Sequence, residues 1–134
     1  MRTPGELTDL FQANGLKVTP QRQAVFRALQ GNVQHPTADA VHAAVTAELP
    51  NVSLRTTYQV LHDLTRLGEV ATLDLGTGAA RFDPNVDTHQ HLVCVACGAV
   101  RDVYVDPVAL PAHEAFVVER AEVVFRGRCA ECQT

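Results

Sequence analysis

The chain has 134 residues, of which 46% are apolar and 5% aromatic, with no Trp and a net charge of −4. Such a length suits one domain or two small ones with an aliphatic core. No apolar run approaches the roughly 20 residues of a membrane span, and Met1 to Leu10 lack the apolar stretch of a signal peptide. The expected location is the cytoplasm, where paired cysteines more often bind metal than form disulfides. The charge is uneven. Residues 1–81 carry seven Lys/Arg and seven Asp/Glu, whereas residues 82–134 carry four and eight. A neutral first half can still focus its few cations on one face. A half of about 60 residues buries little surface and gains from a metal or a partner subunit.

In chain order, four helices come first. Thr3 to Ala13 places Leu7, Leu10 and Phe11 at helical spacing, and Asn14-Gly15 ends it. Thr19 caps a second helix with Pro20 at its first position. Val25, Phe26 and Leu29 form its buried stripe, and Gly31 stops it. Thr37 caps a third, with Ala40, Val41, Ala44 and Val45 expected inward and Pro50 as breaker. Ser53 caps a fourth, with a stripe of Leu54, Tyr58, Leu61 and Leu64 and a Gly68 stop. Its outer face shows Arg55, Thr56, Gln59 and Arg66.

Val70–Leu75, a Gly76-Thr77-Gly78 turn and Ala79–Phe82 then read as a hairpin. Helices ending in a helix–turn–helix pair and followed by a hairpin describe a winged helix, with the fourth helix reading DNA. Arg55 could fork to guanine and Gln59 to adenine. Lys17 suits phosphate or a minor groove, and Arg22 lies close to it in sequence. Asp83-Pro84-Asn85 is turn chemistry. The expected fold class is α+β: a winged-helix DNA-binding domain over 1–82, a hinge over 83–88, and an α/β dimerisation and metal-binding domain over 89–134. In the last, strands are expected over His91–Val95 and Val100–Val105, a third strand or strand pair over Val117–Arg126, and a short helix over Pro107–Ala115.

Two Cys-x-x-Cys hooks, Cys94/Cys97 and Cys129/Cys132, match the tetrahedral demand of structural zinc. The competing readings are two disulfides or redox dithiols. Redox pairs usually open a helix, and these sit at strand ends. His89 and His91, two apart on a strand, project from one face, and Asp87 shares their parity. With Asp83 and Asp102 close in sequence, this pattern suits Fe²⁺, Mn²⁺ or Zn²⁺. His42 and His62 are expected at the surface, and His113 in solvent. A zinc hydrolase built on His89 and His91 is a remote alternative, since no His-Glu-x-x-His or deaminase signature is present. Enzyme function is therefore not expected.

Gly15-Leu16-Lys17-Val18-Thr19-Pro20-Gln21-Arg22, His35-Pro36-Thr37-Ala38-Asp39, Ser53-Leu54-Arg55-Thr56-Thr57-Tyr58, Arg81-Phe82-Asp83 and His89-x-His91-x-x-Cys94-x-x-Cys97-Gly98 resemble the ferric uptake regulator superfamily. The resemblance runs from about residue 7 to Cys132. It implies a homodimer that binds double-stranded operator DNA and represses transcription when a regulatory metal is bound. It also implies His35, Asp83, His89, His91 and Asp102 as ligands of regulatory Fe²⁺ or Mn²⁺, beside the structural Zn²⁺ on the cysteines. Asp at 83 and 102, where iron-uptake members usually carry Glu, resembles the peroxide-sensing branch, whose iron oxidises a ligand histidine. The alternative is a manganese or iron uptake regulator without that sensitivity. Thr88, Gln90 and Ala121 stand where other members hold a further metal, so no third site is expected. Gln59 replaces the Arg that usually follows the Tyr, while Tyr58 keeps a thymine-methyl contact.

Overall fold

A computed structural model describes residues 1–76, 78–106, 115–119 and 121–133. The chain divides into two compact units, Met1–Val86 and Asp87–Thr134.

The first unit holds α1 (Pro4–Ala13), α2 (Pro20–Leu29), α3 (Ala38–Glu48) and α4 (Leu54–Arg66). Each starts on a hydroxyl that satisfies an orphan amide: the N–H groups of Glu6, Arg22, Ala40 and Thr56 donate to Thr3, Thr19, Thr37 and Ser53. Such caps contribute about 1 kcal/mol each. At Thr3 the cap is reciprocal, since the Glu6 carboxylate accepts the Thr3 N–H at 2.8 Å. This bond also holds the Glu6 carboxyl below its ordinary range. Gly68, with φ +74°, lets the chain leave α4.

The core joins Leu7 and Phe11 of α1, Val25, Phe26 and Leu29 of α2, Val41 and Val45 of α3, and Val60, Leu61 and Leu64 of α4. The rings of Phe11 and Phe26 meet edge to face at 4.9 Å. Phe26 is fully buried, so Phe26→Ala is expected to cost about 3–5 kcal/mol in denaturant unfolding of this unit.

Two expected stripes are corrected. On α3 the buried residues are Ala38, Val41 and Val45, while Ala40 and Ala44 are exposed. Runs of alanine carry little phase information, and the two valines decide the face. On α4 the buried set is Thr57, Val60, Leu61, Asp63 and Leu64. Leu54 and Tyr58 are exposed, at 37% and 50%. Thr57 and Val60 share the phase of Leu61 and Leu64, and Tyr58 lies one residue off it.

β1 (Ala71–Leu73) and β2 (Arg81–Asp83) pair antiparallel with Thr72 opposite Phe82, forming the wing. A bridge between Thr37 and Arg81 ties the start of α3 to β2. The buried Glu69 holds Arg2 through the Arg2 amide at 2.8 Å and its guanidinium.

The second unit contains β3 (Gln90–Cys94), β4 (Val100–Val103) and β5 (Val124–Gly127) in the order β4-β3-β5. β3 pairs antiparallel with β4 and parallel with β5. The third strand is therefore shorter than expected, and the described residues before Val124 are irregular. Val and Phe carry strand propensity, but only a partner fixes strand length. The helix expected over 107–115, and His113, lie outside the described residues except for Ala115, which sits in a turn.

Candidate metal centres and nucleic-acid face

β3 and β5 run parallel, with Cys94 opposite Gly127. Both hooks therefore leave the sheet at one end. Gly98, with φ +76°, closes the first knuckle, where its N–H donates to the Cys94 carbonyl at 2.9 Å. Ala130–Cys132 forms a 3₁₀ turn that carries the second. The four Sγ atoms lie within 4.8 Å of one another, and Cys97 and Cys129 stand 3.8 Å apart. Tetrahedral zinc with bonds near 2.3 Å sets its sulfurs about 3.8 Å apart. All four cysteines are free thiols. The set fits zinc, and the disulfide reading is set aside.

The Cys129 N–H donates to Cys94 Sγ at 3.4 Å. That bond, with the Cys97 amide, brings the Cys94 thiol down to about 6. Neighbouring thiols, Cys129 first, push Cys132 up to about 12. Near neutrality the metal-free set thus holds at least one thiolate and one proton-bearing thiol, and the metal must displace protons. Zinc affinity is expected to fall as pH falls, and more steeply below about pH 6, where Cys94 also takes a proton. Competition with a chromophoric chelator across that range checks the sign.

In the same unit His91 and Asp102 are cross-strand partners on β3 and β4. His89, two residues back, meets them from the same side. His89 Nε2 lies 3.0 Å from His91 Nε2 and 3.2 Å from an Asp102 oxygen, and His91 Nε2 lies 3.5 Å from that oxygen. His89 Nδ1 donates to the Asp87 carbonyl at 2.5 Å. A carbonyl can only accept, so in the neutral ring Nε2 carries the lone pair. Converging imidazole nitrogens and a carboxylate at about 3 Å are the spacing of neighbouring donors on one cation. Asp87 thus serves through its backbone carbonyl, a contribution its side-chain parity does not indicate.

In the first unit His35 and Asp83 form a second donor group. His35 Nε2 stands 3.4 Å from Asp83 Oδ2, and both residues are buried. The Arg81 guanidinium donates to the His35 carbonyl at 3.1 Å, and the Phe82 N–H to the Pro36 carbonyl at 2.9 Å. His35 is the one described non-glycine residue with positive φ, +51°. That conformation is uncommon for a non-glycine residue and is held by the surrounding bonds.

Lys17, Arg55, Tyr58 and Gln59 are exposed on the first unit, the last three along the start of α4. Arg22 is different: its Nη1 donates to the Lys17 carbonyl at 2.9 Å and its guanidinium lies over the Phe11 ring at 5.8 Å. It braces the segment that carries Lys17. His62 is exposed as expected, whereas His42 is half-buried and its Nε2 donates to the Val52 carbonyl at 2.8 Å. Asp63, buried on α4, drew no attention in the sequence. Its spacing of four from Gln59 was the available signal.

Four capped helices with a two-stranded wing, a pair of knuckles bearing four cysteines, and His/carboxylate donor groups define a metal-responsive DNA-binding regulator. The model of the ferric uptake regulator family matches residues 13–124. The peroxide-responsive repressor PerR of Staphylococcus aureus strain Mu50 is 36% identical over 132 residues, covering 95% of this chain and 88% of that protein. The Staphylococcus saprophyticus PerR is 34% identical over 125 residues, 90% of this chain and 84% of that one. Among solved structures, the Helicobacter pylori ferric uptake regulator superposes with TM-score 0.78 at 21% identity, covering 97% of this chain and 91% of that chain. The manganese-bound Pseudomonas aeruginosa regulator gives 0.69 at 25% identity, covering 97% and 99%. The chain belongs to the ferric uptake regulator family, whose members are metal-dependent transcriptional repressors.

Proposed function

We propose that this repressor senses peroxide. One Fe²⁺ or Mn²⁺ is held by His35 and Asp83 together with His89, His91 and Asp102, and Zn²⁺ is held by Cys94, Cys97, Cys129 and Cys132. The observation that carries the reading is the division of donors: sulfur at one centre, imidazole and carboxylate at the other. Three imidazoles and two carboxylates suit a borderline divalent ion, and neutralise its charge. Each unit alone supplies an incomplete shell. Ligation by both fixes the orientation of the winged helices over residues 1–82 through the hinge at 83–88, a two-state element biased by a ligand.

The protein acts as a homodimer through residues 89–134 and binds double-stranded operator DNA in the cytoplasm. Arg55, Tyr58 and Gln59 meet bases, and Lys17, braced by Arg22, meets phosphate or a minor groove. Fe²⁺ held by these residues would activate hydrogen peroxide, so that one peroxide oxygen would pass to a ligand imidazole and the other would leave as water. The relatives at 36% identity are named as peroxide-responsive repressors. His35 or His89 is the target, and its oxidation removes a donor and releases the operator.

The test loads the protein with Fe²⁺ or Mn²⁺ and adds micromolar peroxide. Loss of operator binding, with one oxygen atom gained on a His35- or His89-containing peptide, is expected for iron alone. Survival of the iron form would favour plain iron or manganese uptake control.

A further inference from the structure

Gln59 and Asp63 stand one turn apart on α4, and the Gln59 amide Nε2 donates to Asp63 Oδ1 at 3.1 Å. A carboxylate only accepts, so this contact settles which end of the amide is nitrogen. Asp63 itself is 2% exposed, an expensive place for a carboxylate. Among the described residues its Oδ2 accepts no hydrogen bond, and the Arg22 guanidinium stands 3.9 Å away. A Leu at this inward position would pack without that cost. The carboxylate thus has two partners, the half-buried Arg22 paired with Oδ2 and the Gln59 amide on Oδ1, and of these Gln59 is the exposed one.

We propose that Asp63 is a specificity-positioning residue: by holding one N–H of the Gln59 amide, it fixes the order of the remaining N–H and C=O that α4 offers to a base. That pair, a donor beside an acceptor, matches N7 and N6 of adenine. With the amide turned over, oxygen meets N7 and nitrogen meets the N6 amino group, and both bonds are lost. The proposal rests on the reading of α4 as the base-contacting helix. It gives the Gln that replaces Arg after Tyr58 a defined preference, with Asp63 acting through Gln59 and never touching DNA.

The test selects preferred duplexes from a random pool with the Mn²⁺-loaded protein, then measures single-base variants. Bidentate adenine contact discriminates by roughly 5- to 150-fold. Gln59→Ala should erase the adenine preference at one position. Asp63→Asn, whose amide can donate or accept, should lower discrimination at that same position at least about fivefold while other positions keep theirs. Unchanged base ratios in Asp63→Asn, or an equal loss on every sequence, overturn the proposal. If Gln59→Ala alters no position, the base-contact reading fails first. Should Asp63→Asn not fold, side-chain amide exchange in the wild-type protein decides: Gln59 Nε2 protons exchanging as fast as those of a free glutamine overturn the proposal, and slowed exchange supports it.

Discussion

Cys94→Ser is expected to abolish zinc binding and to unfold the second unit, leaving the first intact. The asymmetry follows from where apolar surface is buried. The contiguous core lies wholly in the first unit. In the second, the buried apolar side chains among the described residues are Val93, Cys94 and Val100, and one of these is itself a ligand. Three side chains at roughly 1.5–3 kcal/mol each cannot offset the ordering of a three-stranded sheet. Structural zinc contributes an apparent 10–16 kcal/mol, about what the missing core would supply. Far-UV circular dichroism should show loss of strand signal with helix signal retained, and metal analysis should show no zinc. A Cys94→Ser protein that keeps its sheet without zinc would refute the account.

His91→Ala is expected to keep zinc and fold yet lose metal-dependent operator binding. His91 is nearly buried and lies within 3.5 Å of the Asp102 carboxylate and 3.0 Å of the His89 ring. Its removal strips one donor and leaves His89 and Asp102 without the partner that completes their side of the shell. Coupling between two sites commonly amounts to 5- to 150-fold in affinity, and operator affinity with Mn²⁺ should fall within that range. Manganese is the probe of choice, because iron would add oxidation to the loss. The measurement is fluorescence anisotropy on a labelled operator, with zinc content as the control. Equal Mn²⁺-dependent affinity in variant and wild type would remove His91 from the regulatory site.

Three helix starts were legible because each is written in one residue: Thr19, Thr37 and Ser53 cap as read, while Thr3, read as the first residue of α1, proves to be its cap. The knuckles and the His89-x-His91 parity were legible for the same reason, since spacing alone carries them. Helix phase was legible on α2, where Val25, Phe26 and Leu29 are buried as read, but not fully on α3 and α4. On α3 alanines are ambiguous, and on α4 the exposed Tyr58 mimics a core residue. What Asp87 contributes was hidden because a backbone carbonyl leaves no mark in a sequence. The contact of His42 was hidden too, since its partner is the Val52 carbonyl, whereas Asp63 left one mark, its spacing of four from Gln59 on the same helix.

β3 carries donors of both proposed centres, His91 and Cys94, three residues apart. A slip of one residue between β3 and β4 would turn His91 to the opposite face from Asp102. The knuckle at the strand's end anchors that alignment. Maturation therefore has an order: a cell starved of zinc would make a repressor blind to its signal, however much iron or manganese it held.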